Sequence, residues 1–179
     1  IPTVEQEMLE NGMAYIRIVE FDEVTPGQFE QALQTSRGSG MKGLILDLRG
    51  NPGGSVSAVV DIARMLLPEG LVVYTEDKYG KREEYSCDGS KEFELPLVVL
   101  IDGNSASASE LLSGAIQDYH KGTLVGTTTF GKGIVQQIIP FRDGSAVKVT
   151  ISAYYTPNGN NIHGLGIEPD IDCEFDGEA

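Results

Sequence analysis

The stretch Ser105-Ala106-Ser107-Ala108-Ser109-Glu110 sets three hydroxyls on alternate residues, with alanines between them and a carboxylate behind. Serine, two residues, then an acidic group is the pattern of a helix cap, and that use accounts for one of the hydroxyls. Alanine on either side also leaves a backbone with room beside it. A serine in the first turn of a helix sits in the positive field of the helix dipole, where an oxyanion is stabilised. Spacing alone leaves open which serine, if any, is a nucleophile. A serine nucleophile needs a base, because its hydroxyl is weak at neutral pH. His120 closes the same helical stretch, far from the serines, and His163 lies among glycines. Lysine is the other option, and it serves as a base only where an apolar setting favours the neutral amine. Lys132 has that setting, with Phe130 and Ile134 nearby and glycine on both sides. Lys42, Lys78, Lys81, Lys91 and Lys121 lie in polar stretches, and Lys148 is expected to face solvent from a strand.

Gly126-Thr127-Thr128-Thr129-Phe130-Gly131-Lys132-Gly133 is close to a phosphate-binding loop, but that loop needs Ser or Thr after its lysine and then a helix. Gly133 and the strand-like Ile134-Val135-Gln136-Gln137-Ile138-Ile139 follow instead. On an extended segment Lys132, Ile134 and Gln136 share a face and Gln137 points the other way, so Gln136 is placed to orient the lysine amine; otherwise it is a solvent-facing polar residue on an edge strand. Arg49-Gly50-Asn51-Pro52-Gly53-Gly54-Ser55 reads as a strand-to-helix turn. Its glycines also let backbone N–H groups approach a substrate oxygen. With the N–H after the nucleophile they would form an oxyanion hole.

The elements that must position these residues are legible in outline. Ala14 to Phe21 alternates as a half-buried strand. Thr25-Pro26 opens a helix, with Thr25 as cap and Phe29 and Leu33 on its inner face, ending at Gly38 and Gly40. Gly43 to Leu48 and Leu95 to Asp102 are continuous apolar runs, expected as strands covered on both faces. Helices are expected from Val56 to Leu67 and over Leu111 to Tyr119. A strand from Leu71 leads into a hairpin turning at Tyr79-Gly80, and three further strands follow the second helix. Strands alternating with helices indicate α/β with mainly parallel central strands. The loops after Leu48 and Asp102 then face one another at the carboxyl ends of strands, where ligands gather.

The 179 residues fit one domain, here 1–179, and 40 % hydrophobic residues suffice for a core. No run approaches the roughly 18 apolar residues of a membrane span. A net charge of −14 argues against a nucleic-acid partner. Neither histidine has metal-ligand spacing, so no metal is expected. Cys87 and Cys173 form one disulfide or none.

Gly43-Leu44-Ile45-Leu46-Asp47-Leu48-Arg49-Gly50-Asn51-Pro52-Gly53-Gly54, the serine stretch, the Lys132 loop with Gln136, and Tyr154-Tyr155-Thr156-Pro157 through Asp170 together closely resemble the C-terminal processing peptidases, or tail-specific proteases. The likeness runs from about Ala14 to Asp172. It implies Ser107 as nucleophile, Lys132 as general base, Gln136 as its support, and an oxyanion hole of the backbone N–H groups of Ala108 and Gly53, with Gly54 equally placed. It also implies a fold like that of the Clp protease and the crotonases, no cofactor, and a protein or peptide substrate bound as an added strand. Family members typically act outside the cytoplasmic membrane and carry a PDZ domain ahead of the core. Nothing here reads as PDZ, so the expectation is a peptidase core without it, with an oligomer possible through segments beyond it. The alternatives are an inert scaffold on the same fold and a crotonase-like acyl-CoA enzyme. The second lacks an evident acidic pair and fits poorly with the net negative charge.

Overall fold

A computed structural model describes residues 1–174. The chain runs β1 (Val4–Met8), β2 (Met13–Ile18), α1 (Thr25–Gly38), β3 (Gly43–Asp47), α2 (Val56–Ala63), β4 (Gly70–Asp77), β5 (Arg82–Cys87), β6 (Leu97–Ile101), α3 (Ala108–Asp118), β7 (Thr123–Gly126), β8 (Ile134–Pro140), β9 (Ala146–Tyr155) and β10 (Ile171–Asp172). A six-stranded sheet has the order β1-β2-β3-β6-β7-β10 and a four-stranded sheet the order β5-β4-β9-β8. In the larger sheet β2, β3, β6, β7 and β10 are parallel, and β1 is antiparallel to β2. The smaller sheet is antiparallel throughout. The α/β class with mainly parallel central strands is therefore observed.

Burial alternates along β2 and β6: Ala14, Ile16 and Ile18, then Leu97, Val99 and Ile101, are buried, with half-buried residues between them. Helix residues Phe29, Leu33, Val59, Ile62, Leu111, Leu112 and Ile116 belong to the same core cluster. Each such side chain contributes about 1.5–3 kcal/mol by leaving water. The expectation of strands covered on both faces holds for most of β3, where only Ile45 is half-buried, and is corrected for β6. Ile45, Val98 and Leu100, on the opposite face, are only half-buried, because α1 packs on β1 and β2 and α3 on β7 from the side already counted.

Two helix boundaries also differ. Thr25 lies inside α1, with Val24 before it, and the Asp22 carboxylate accepts the N–H of both Val24 and Thr25 and the Thr25 hydroxyl. Asp22 thus does the capping expected of Thr25. α2 stops at Ala63 rather than Leu67, and tighter turns carry the chain on, with Met65 N–H donating to Ile62 and Leu66 N–H to Ala63. Cys87 is buried and Cys173 exposed, and both thiols are free.

Candidate active site

Because β3, β6 and β7 are adjacent and parallel, the loops that follow them emerge on one edge of the sheet. These are the Gly53 loop, the serine turn and the Lys132 loop. Asp102 ties the first two together: its Oδ1 accepts the N–H of Gly50, of Asn104 and of Ser105. At the end of β3, Asp47 is 2 % exposed and accepts two hydrogen bonds from the Arg49 guanidinium and one from the Tyr15 hydroxyl. Burial alone would raise the Asp47 carboxyl, but these hydrogen bonds outweigh it and hold it below the ordinary carboxylate range. The same contacts push the Arg49 guanidinium up.

The three serines separate cleanly. Ser105 is buried, and its hydroxyl donates to Leu48 O (2.8 Å) and accepts from Asp102 N–H (3.0 Å). Ser109 is buried, and its hydroxyl donates to Asn51 O (3.0 Å). Ser107 alone is partly exposed. It stands immediately before α3 with φ 54° and ψ −114°, a left-handed conformation that costs a non-glycine residue about 1–3 kcal/mol and persists only where neighbours over-determine it.

One neighbour is Glu110, fully buried. Its Oε2 accepts the N–H of Ser107 and of Lys132, both at 2.8 Å. Its Oε1 accepts the Gly131 N–H and the Thr129 hydroxyl, both at 2.6 Å. The main-chain nitrogens of Ser107 and Lys132 therefore lie within two hydrogen-bond lengths of each other. Phe130 N–H donates to Ser105 O as a second tie. The glycines flanking Lys132 permit close packing against the 162–166 loop. A Cβ on Gly133 would sit 2.6 Å from His163 N, and Gly131, at φ 88°, faces the backbone of Gly164 and Gly166.

The side chains are less closely joined than the backbones. Lys132 is exposed, which corrects the expectation of an apolar pocket around it. Phe130, expected to help form that pocket, is itself 66 % exposed, because Thr129 and the main chain occupy the buried side of the loop. No hydrogen bond joins the Lys132 amine to Ser107 or to Gln136. Gln136 and Gln137 are both exposed, beyond a bulge at which Val135 pairs with Ser152 but Gln136 with Thr150.

Gly53 is wedged against the serine turn: a Cβ there would meet Ala106 O at 2.6 Å, Ser107 Cβ at 2.8 Å and Ala108 N at 2.9 Å. Its N–H, however, is held by the Asn51 side chain at 2.8 Å. The N–H groups of Gly54 and of Ala108 have no hydrogen-bond partner among the described residues. Gly53 O accepts from Phe21 N–H, so the trans peptide aims the Gly54 N–H the opposite way.

Sequence reasoning gave Glu110 only a cap and passed over Asn51, which is fully buried, donates to Ile18 O and shapes the glycine turn. The cap spacing signalled the first. Asn-Pro-Gly signalled only a turn for the second.

The model of peptidase family S41 matches residues 12–173. The chain belongs to peptidase family S41. Relatives within the family include the carboxyl-terminal-processing protease of Synechocystis sp., 44 % identical over 88 % of this chain and 37 % of its own. Another is the carboxy-terminal processing protease CtpA of Bacillus subtilis, 35 % identical over 98 % of this chain and 38 % of its own. Among solved structures, the photosystem II D1 C-terminal processing protease superposes with a TM-score of 0.90 at 37 % identity, covering 97 % of this chain and 49 % of that one. The chain thus spans under half the length of these relatives. Membership of S41 decides against the acyl-CoA reading.

Proposed function

We propose that the protein is a serine endopeptidase in which Ser107 is the nucleophile and Lys132 the general base, acting on polypeptides near their C-termini. The observation that carries this reading is that Ser107, the one serine of its stretch left partly exposed and held in a left-handed turn, shares an acceptor oxygen with Lys132 through their main-chain N–H groups. In the reaction Ser107 Oγ attacks the scissile carbonyl carbon as its proton passes to Lys132 Nζ. The carbonyl oxygen becomes an oxyanion facing the Ala108 N–H at the start of α3. We assign the second donor to Gly54, since the Gly53 N–H is held by Asn51. Collapse expels the amine, which takes the proton from Lys132 and leaves an ester on Ser107. Water then gives a proton to Lys132 as it attacks the ester, and collapse releases the acid product as Lys132 returns that proton to the departing Ser107 oxygen.

The Lys132 side chain must close on Ser107 for this, and catalytic hydrogen bonds commonly tighten only in the substrate complex. A substrate strand laid along the free edge of β8, which starts beside the Lys132 loop, would cover the lysine as it binds, and Gln136 would orient the amine once covered. Action near C-termini is carried over from the relatives' names. Placement outside the cytoplasmic membrane rests on family resemblance alone; among the described residues no helix is long and apolar enough to cross a membrane. The unjoined Ser107 and Lys132 side chains favour one other reading, an inert scaffold. Acid quench of a reaction with a slow ester substrate, followed by intact-mass measurement, decides between them. The dyad gives an acyl adduct that disappears in Ser107→Ala at unchanged melting temperature. Hydrolysis insensitive to that substitution, or no adduct and no turnover in the wild type, would sink it.

A further inference from the structure

We propose that Glu110 is the positioning residue that sets the register of base against nucleophile, and that it does so as an anionic acceptor no amide can replace. The proposal rests on the dyad reading above. The Lys132 loop is also tied through its flanking residues, Phe130 N–H to Ser105 O, Gly164 N–H to Gly131 O and Tyr154 N–H to Gly133 O, but none of these bonds is made by Lys132 itself. Its side chain is exposed, and β8, which begins two residues later, is an edge strand exposed over most of its length. The Lys132 main-chain N–H itself donates to the Glu110 carboxylate, which is buried and lies on α3, the helix that Ser107 precedes.

The carboxylate is filled on both sides. Oε2 takes the N–H groups of Ser107 and Lys132, and Oε1 takes the Gly131 N–H and the Thr129 hydroxyl. The Thr129 hydroxyl donates its proton here, because a carboxylate oxygen only accepts, while the hydroxyl oxygen accepts from Ile167 N–H at 2.7 Å. Four donors thus converge on two oxygens, with no hydrogen-bonded cation among them. A glutamine has one acceptor oxygen and an NH2 group, which only donates. Turned one way, its NH2 faces the Ser107 and Lys132 N–H groups; turned the other, it faces Gly131 N–H and Thr129. Either orientation opposes donor to donor and pushes the Lys132 loop off the serine turn. A plain helix cap predicts otherwise: glutamine serves at that position of a capping box as well as glutamate does, so a cap role alone would leave Glu110→Gln active.

The test compares Glu110→Gln, Ser107→Ala, Lys132→Ala and wild type for kcat, KM and melting temperature on one peptide substrate. Glu110→Gln is expected to lose kcat on the order of a hundredfold, the scale of a misplaced catalytic group, with KM within about twofold of wild type because the lost positioning acts in the transition state and not on substrate binding. If Glu110→Gln does not fold, the Thr129 pair decides. Thr129→Val removes one donor to Oε1 and should lower kcat about tenfold, one displaced hydrogen bond's worth, and Thr129→Ser should recover most of it. Wild-type kcat in folded Glu110→Gln, or in Thr129→Val where the first is unfolded, overturns the proposal while leaving the dyad standing, provided Ser107→Ala is dead. Turnover surviving in Ser107→Ala overturns the dyad and this proposal with it.

Discussion

Substituting Gly53 by alanine should injure both stability and turnover, and the two losses can be separated from ordinary glycine effects. Gly53 has φ +99°, and an added Cβ would lie 2.6–2.9 Å from Ala106 O, Ser107 Cβ and Ala108 N. The left-handed conformation costs an L-residue about 1–2 kcal/mol. The contacts fall short of the 3.5–4.0 Å optimum by roughly 1 Å, and two of the three atoms are backbone, so relief requires moving the serine turn itself, an overpacking cost of about 1–3 kcal/mol. The total, about 2–5 kcal/mol, is a large share of a typical domain's 5–15 kcal/mol. Gly50 is the control: its φ is +71°, but nothing lies within 4 Å of its Cβ position. Gly50→Ala should therefore show the conformational cost of about 1–2 kcal/mol and little change in the site. Denaturant unfolding gives the two stabilities, and peptide turnover under folding conditions gives the two activities. Gly53→Ala should lose about a hundredfold in kcat, the cost of a displacement near 1 Å. Equal stability losses in the two variants, or normal kcat in Gly53→Ala, would refute the packing of glycine loop against nucleophile turn.

Lys132→Arg should be nearly as inactive as Lys132→Ala, about 10²–10⁴-fold down, because arginine stays protonated and cannot accept the serine proton; near-normal turnover would reduce Lys132 to a positive charge. Gln136→Ala should lower kcat by up to about a hundredfold and Gln137→Ala by no more than about twofold at equal stability, and the reverse order in a kinetic comparison would show that the facing of β8 opposite the β9 bulge is misread. Ser105→Ala should cost about 1–3 kcal/mol of stability, since the buried Leu48 carbonyl and Asp102 N–H each lose a partner, while the folded variant remains active in the same assay. Asp47→Asn should destabilise by about 3 kcal/mol at neutral pH by leaving Arg49 beside an uncharged group. The Asp47 carboxyl is depressed in the folded state, so its contribution is present above the ordinary carboxylate value of about 3.9 and is lost as pH falls through the folded value. Thermal melts of the two proteins should therefore converge below about pH 4.

The central βαβ alternation was legible from local chemistry, as were the stretches that hold the candidate residues, but the choice of Ser107 among three serines rested on the family resemblance and Asn51 was passed over. Apolar runs mark β3 and β6, the alternating hydroxyls mark the serine turn, and glycines flank the lysine. Tertiary relations were not legible. β1, Val-Glu-Gln-Glu-Met, has three consecutive polar residues between its apolar ends, so no alternation marks it, and it is a strand because Ala14 to Ile18 lie beside it. β10 has two residues and owes its pairing to Val125 and Gly126. One-sided burial of the central sheet depends on where α1, α2 and α3 settle, which a continuous apolar run does not disclose. Lys132 looked buried because its neighbours are glycines and apolar residues. The chain instead uses those glycines for backbone packing and turns the lysine outward. Glu110 has the spacing of a cap in the sequence, and its reach to the Lys132 loop appears only once β7 brings that loop beside the first turn of α3.

The claim that Ser107 is the nucleophile of a Ser–Lys peptidase is tested most directly by fluorophosphonate labelling, with tandem mass spectrometry assigning the adduct to a single serine. The account predicts an adduct on Ser107 alone, formed at wild-type rate in folded Ser109→Ala and absent from both Ser107→Ala and Lys132→Arg. An adduct on Ser105 or Ser109, or a labelling rate unaffected by Lys132→Arg, would contradict it.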